Sequence, residues 1–422
     1  MSTWIQILCI LSLISCESLD AQKPFKTPKM VEDQAAAGKR VKIVADGYEH
    51  TNVYHSLYLP EGYSREKKYP IIVEYTGNFA PHLGSSGQVK DASLAYATAV
   101  ALDAIWVVMP YLSADGMNSE LTWWGSETKT IDYCARQVKE ICLNYGGDPS
   151  SVFITGFSRG AIAVNRLGLN DDRAADIWLG FHSHDHYDGH RAWCTDWAHN
   201  CDYNAYRASA IERAKRFRGR AALVGGQHMD SVAGYISTSG IDTLGKLSIQ
   251  SVPVPEIIPQ DELFTNPKNR QKVTHTDKWM NYESEEADDV VDWYKEVIRD
   301  KPGTYSISGI VRDTQGKPVP GVIVESGLQG VDYKGVCTHF DISSCDGEYE
   351  LKGLIQGDRF VNVTYLQAPG IILNTQNIIL DKNKLLDIEI DQGKRIHYNT
   401  ASQEEIGKRM AESYLELSIA RK

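Results

Sequence analysis

Between residues 40 and 300 the chain alternates short, nearly continuous apolar runs with stretches of helical period. Residues 41–44, 56–59, 70–75, 105–109, 152–155, 177–181 and 221–224 read as strands. The later ones lack the polar alternation of a half-exposed sheet, as strands covered on both faces do. Between two of them, Ile131, Cys134, Val138, Ile141, Cys142 and Tyr145 recur at the spacing of an amphipathic helix over 127–145, closed by Gly146-Gly147-Asp148-Pro149. Strand and helix in alternation predict an α/β layered fold with a mainly parallel central sheet.

The pattern changes at Lys301-Pro302-Gly303. From 303 to about 390 short strands and turns predict a small all-β sandwich. The tail, 391–422, has a third texture: Ser402-Gln403-Glu404-Glu405 has capping-box spacing, and Ile406, Met410, Tyr414 and Leu417 mark one helical face, expected to dock back onto the first domain. A length of 422 residues is too great for one hydrophobic core, which agrees with two domains. The net charge of −11, with no long basic run, argues against nucleic acid as a partner.

The N-terminus changes the picture of where the chain works. Residues 4–14 are apolar and uncharged, too short to span a bilayer, and predict a signal peptide over 1–20. Leu13-Ile14-Ser15-Cys16 resembles the lipobox of bacterial lipoproteins, which makes Cys16 a candidate for lipid attachment to a membrane; the missing Lys or Arg before the apolar run departs from that pattern. The expected location is therefore exported: periplasmic, outer-membrane lipoprotein or secreted. The cysteines agree, since Cys194/Cys201 and Cys337/Cys345 are close pairs in loop-like sequence that could close small disulfides. Cys134 and Cys142 lie on one helix with roughly 12 Å of rise between them, too far to bridge, and are expected as buried thiols.

The sharpest chemical signal is Gly156-Phe157-Ser158-Arg159-Gly160, directly after one strand and directly before the helical run Ala161-Ile162-Ala163-Val164. A nucleophile on a tight strand-to-helix turn needs small residues two before and two after it, and the helix N-terminus favours developing negative charge. Over about residues 40–300 the chain here resembles the α/β-hydrolase family. That resemblance implies a catalytic triad in the order Ser, acid, His and an oxyanion hole of two backbone amides. Ser158, in that turn, is the expected nucleophile. The first amide is that of Arg159, and the second maps to Gly77 and Asn78 after the strand at 70–75. His275, ahead of the helix containing Val290, Trp293 and Val297, matches the family's base. Asp230, in the loop after the strand at 221–224, is the expected acid, with Asp185 and Asp188 one strand earlier as competitors.

His182, His184, Asp185, His186, Asp188 and His190 follow the strand at 177–181. Three histidines at alternating positions invite a metal reading, but a serine turn already accounts for hydrolysis, so no metal and no cofactor is expected. His182, His184 and Asp188 are instead expected to line a polar substrate pocket, with Trp123 and Trp124 as an aromatic platform and 189–218 as a short cap pinned by Cys194–Cys201. The β module, over roughly 303–366, resembles a carboxypeptidase-regulatory-like (transthyretin-like) domain through Ile307-Ser308-Gly309, Lys317-Pro318-Val319-Pro320-Gly321 and Cys345-Asp346-Gly347-Glu348-Tyr349. The resemblance implies a non-catalytic sandwich, and its insert at 327–344 is expected to face the catalytic domain. Together these features predict an exported serine esterase, cleaving a polar carboxylic ester carried by a small molecule or a polysaccharide. A peptidase or lipase of the same fold, or an inactive surface-binding protein, are the alternatives.

Overall fold

The computed structural model describes residues 25–192, 202–366 and 368–391. The expected signal peptide, the Cys194–Cys201 pair and the terminal helix lie outside them.

Eight strands form the central sheet: β1 (Arg40–Ile43), β2 (His55–Tyr58), β3 (Tyr69–Tyr75), β4 (Ile105–Met109), β5 (Gly147–Phe157), β6 (Gly180–His184), β7 (Ala221–Gly226) and β8 (Lys246–Ser251). Their spatial order is β1-β2-β4-β3-β5-β6-β7-β8. β2 pairs antiparallel with both β1 and β4, and from β4 onward the neighbours run parallel. Six parallel strands need covered crossovers. These carry α1 (Tyr96–Ala101), α2 (Glu127–Tyr145), α3 (Arg159–Arg166), the single turn α4 (Asp172–Ala175), α5 (Tyr203–Ala214) and α6 (Asp230–Thr238). The short α7 (Val254–Ile257) and the long α8 (Glu285–Asp300) follow β8. Two apolar cores result, one on each face of the sheet.

The helix ends follow from local chemistry. Ser126 caps α2 by accepting from the Lys129 amide, and Gly146 ends it in the left-handed region at φ 70°. Ser284 caps α8 by accepting from the Ala287 amide, with Glu285, Glu286 and Asp288 in the first turn, where the helix dipole favours negative charge.

One boundary differs from expectation with large consequences. Periodicity ends the sixth strand at Phe181, where polarity begins, but β6 spans Gly180–His184, and every residue in it is buried. His182-Ser183-His184 continue the ladder beside Thr155, Gly156 and Phe157 of β5. A second correction concerns the predicted cap: α5 is the crossover helix between β6 and β7, so the described part of 189–218 is scaffold. β8 was not evident from the sequence, because its residues are mostly exposed and lack an apolar run.

The C-terminal module is a sandwich of two four-stranded sheets. One has the order β11 (Phe340–Ile342), β10 (Val322–Leu328), β13 (Gly357–Tyr365), β14 (Ala368–Leu380). The other has β12 (Glu348–Ile355), β9 (Thr304–Asp313), β15 (Lys384–Leu385), with β16 (Ile388–Ile390) also on β9. The insert does face the α/β domain. Asp176, beyond α4, is buried under the module, where both nitrogens of the Arg359 fork donate to it at 2.9 Å. Tyr333 Oη donates to the same carboxylate at 2.7 Å, and His339 Nε2 to the Asp176 carbonyl at 2.5 Å. Ile323 and Phe340 join one of the two sheet-face cores. Cys337 and Cys345 form no disulfide: Cys337 is buried, while Cys345 stands exposed on a turn. Cys134 and Cys142 are buried free thiols.

Candidate active site

β5 delivers Ser158 at the C-terminal edge of the sheet. The serine has φ 57°, ψ −112°, a region that costs a residue with a Cβ of order 1–3 kcal/mol. The two glycines around it are required by contact. A Cβ on Gly156 would lie 2.3 Å from the Gly160 carbonyl carbon, and one on Gly160 would lie 1.9 Å from the Tyr75 carbonyl oxygen. Only hydrogen at both positions lets α3 begin immediately after the serine and pack across the tip of β3.

The loop after β3 closes on Ser158 from the other side, with a Cβ built on Gly77 falling 3.4 Å from Ser158 Cβ. The Arg159 amide is at the start of α3, where helix N–H groups have no intrahelical carbonyl. The Arg159 side chain is buried, and its guanidinium donates to the Thr76 carbonyl (3.4 Å), the Thr76 hydroxyl (3.1 Å), the Gly77 carbonyl (3.0 Å), and the Glu120 and Trp123 carbonyls (3.3 and 2.8 Å). It stacks on Tyr111 at 3.9 Å. Burial lowers its pKa to about 10, leaving it charged at neutral pH.

His275 comes from the segment ahead of α8. Its Nδ1 lies 3.0 Å from Asp185 Oδ2; the histidine side chain is 29% exposed and the aspartate 6%. The histidine therefore reaches the cavity while the aspartate stays dry. Burial alone would push Asp185 up, but His184, His275 and the Gln227 amide hold it down to about 2, so it is ionised. The pair is braced by Gln227, whose amide donates to Asp185 Oδ1 at 3.2 Å and whose side chain donates to the Thr274 carbonyl at 2.9 Å.

Asp230 is thus not the carboxylate set against His275. It is exposed in the first turn of α6, where it complements the helix dipole. The cause is the length of β6, which carries Asp185 to the strand's tip, beside His275. Asp185 adopts the left-handed φ of 76°, which Asp tolerates better than most residues.

The expected pocket is redrawn for the same reason. His182 is buried in the sheet, its Nδ1 3.3 Å from Tyr294 Oη, and burial pushes its pKa down to about 3. His184 is buried beneath the acid, stacked on Trp279 at 5.1 Å. Asp188 is a buried anchor, accepting from Arg213 Nε at 2.9 Å and Tyr206 Oη at 2.7 Å. Trp124 is core and lies under Arg166. Trp123 does line the cavity. That cavity, of about 130 Å³, is bounded by Asn78, Ala80, Leu83, Ser85, Trp123, Phe157, Ser158, Arg159, Ile162, His186 and His275. A second cavity of about 440 Å³ shares His275, Phe157, Leu83 and Ser85 with it, and has Thr76, Ser86, Gln88, Glu262 and Asp277 among its polar walls. Among the described residues no group of three or more His, Cys, Asp and Glu side chains converges to hold a metal ion.

The fold is the α/β-hydrolase arrangement, with a mainly parallel sheet, a strained serine after β5 and a histidine–aspartate pair beside it, joined to a small β sandwich. No protein-family profile matches the chain, and no curated sequence does. Solved structures share parts of it. A thermostable esterase superposes with a TM-score of 0.37 at 12% identity, over 61% of this chain and 62% of its own length. The sugar hydrolase YeeB from Lactococcus lactis gives 0.42 at 13%, over 62% of this chain and all of its own. The feruloyl esterase module from Clostridium thermocellum, solved with sinapinate, gives 0.30 at 17%, over 52% and 81%. The chemistry of this chain rests on its own site.

Proposed function

We propose that the chain is a serine esterase acting through an acyl-enzyme on Ser158. The observation that carries this is the 3.0 Å approach of His275 Nδ1 to the buried Asp185 carboxylate, beside a serine held at φ 57°. With Asp185 accepting from Nδ1–H, His275 presents Nε2 as the base that takes the Ser158 hydroxyl proton during attack on the ester carbonyl. The amides of Arg159 and of Gly77 or Asn78 face the developing oxyanion. His275 then returns the proton to the departing alcohol, and water repeats the sequence to free the acid.

A polar-walled cavity against His275 supports a polar alcohol as leaving group, in keeping with an ester on a polysaccharide or small hydrophilic molecule met outside the cytoplasm. Export through residues 1–20, lipid attachment at Cys16 and a non-catalytic, carboxypeptidase-regulatory-like role for the β module belong to the same proposal. Ser158→Ala is expected to abolish hydrolysis of a chromogenic acetate and labelling by a fluorophosphonate, with an unchanged circular dichroism spectrum. Stoichiometric labelling that survives the substitution would place the nucleophile elsewhere.

A further inference from the structure

The cavity in front of Ser158 carries a statement about the acyl half of the substrate, resting on the serine-esterase reading above. Its walls are Ala80, Trp123, Phe157 and Ile162, with Asn78 and His186 supplying the polar edge. Burial pushes His186 down to about 4, so the ring is neutral near pH 7 and offers no charge to an anionic acyl group. Arg159, the arginine on the boundary among the described residues, turns its guanidinium onto loop carbonyls. The space of about 130 Å³ is slightly smaller than an apolar cavity of about 150 Å³ that holds one benzene.

The walls are also fastened. A guanidinium has five N–H donors, and Arg159 makes five contacts, three to the Thr76–Gly77 turn and two to the 120–123 loop. Three further bonds tie this corner. Asn78 Oδ1 accepts from the Trp123 amide at 2.8 Å, the Phe79 amide donates to the Leu121 carbonyl at 2.7 Å, and Tyr111 Oη donates to the Thr76 carbonyl at 3.1 Å. Ile162 sits on α3 within the core. Enlarging this pocket would mean breaking buried hydrogen bonds to a charged group, among the costlier ones to lose.

We propose that this cavity is a rigid acyl subsite for an uncharged, short-chain or single-ring acyl group, and that the Arg159 clasp makes its size limit sharp. Each methylene buried inside is worth about fourfold in kcat/KM, and methylenes beyond the walls add nothing.

The test is a series of p-nitrophenyl esters from acetate to decanoate, with benzoate included, on the full chain and on Ser158→Ala. The expected kcat/KM rises to about four to six carbons, accepts benzoate, and then levels or falls by tenfold or more at decanoate. Ile162→Ala is expected to raise the ratio of octanoate to acetate, and Ala80→Leu to lower it; a ratio is insensitive to the fraction of active protein. Ser158-dependent turnover that keeps rising through decanoate would overturn the size limit while leaving the esterase intact. Absence of Ser158-dependent turnover on every ester would overturn the esterase itself. Should either variant fail to fold, the unmodified protein's profile still decides.

Discussion

Asp185 lies dry, 3.0 Å from His275, and it stays ionised because His184, His275 and the Gln227 amide outweigh burial. Replacing it by asparagine keeps the size, removes the charge and can favour the wrong imidazole tautomer. In a well-studied triad that change costs about 10⁴ in turnover. Asp185→Asn is expected to lose kcat on that scale, with a far smaller change in KM. Asp230→Asn, on the exposed first turn of α6, is expected to stay within about 0.5 kcal/mol in stability and to change kcat little. Steady-state kinetics of both variants on one small ester checks the pair, and a collapse at Asp230 with a mild effect at Asp185 would reverse the assignment. Ser158, Arg159, Asn78 and His275, which the turn sequence and the family resemblance singled out, line one cavity. The aspartate beside His275 was not singled out, since a carboxylate after either of two strands satisfies the same chain order.

At the scale of elements, the turn from β5 into α3 is a demanding piece of backbone, and glycine spacing announces it. Gly160 is where α3 presses on the Tyr75 carbonyl. Gly160→Ala is expected to destabilise the protein by at least about 2 kcal/mol, in the range of overpacking changes, and to lower kcat, because Tyr75 leads directly into the Thr76–Gly77 turn. Urea unfolding beside kinetics tests this; a variant as stable and as active as the parent would show that the contact yields freely. The end of β6 was less legible. A polar run usually leaves a sheet, yet His182 and His184 stay within it, because a neutral imidazole can be buried when packed against Tyr294 and Trp279. Those three extra residues move two histidines out of the expected pocket and Asp185 into the site.

Over the whole molecule, the buried Asp176–Arg359 pair joins the sandwich to the α/β domain. Burial raises the pKa of Asp176, but Arg359, His339 and Tyr333 hold it below the ordinary carboxylate range. A depressed folded-state value means that the stabilisation is complete above the unfolded pKa of about 3.9 and is lost as pH falls through the folded one. Removing one partner of such a pair leaves an uncompensated charge and typically costs about 3–5 kcal/mol. Arg359→Met is expected to lose that much in urea unfolding at pH 7, and the double variant with Asp176→Leu to recover most of it. If the single variant matches the parent, the pair contributes nothing to docking.

Local pattern by itself determined the layered α/β domain, the sandwich after residue 303 and the serine turn, because periodicity, caps and close glycines act over a few residues. Tertiary structure alone decided which aspartate meets His275, which histidines are buried, and what Arg159 holds. Each of those depends on groups distant along the chain, such as Asp185 with His275, His182 with Tyr294, and Arg159 with Thr76 and Trp123. Burial leaves His182 neutral while neighbouring groups keep Asp185 ionised, and both are properties of the assembled sheet.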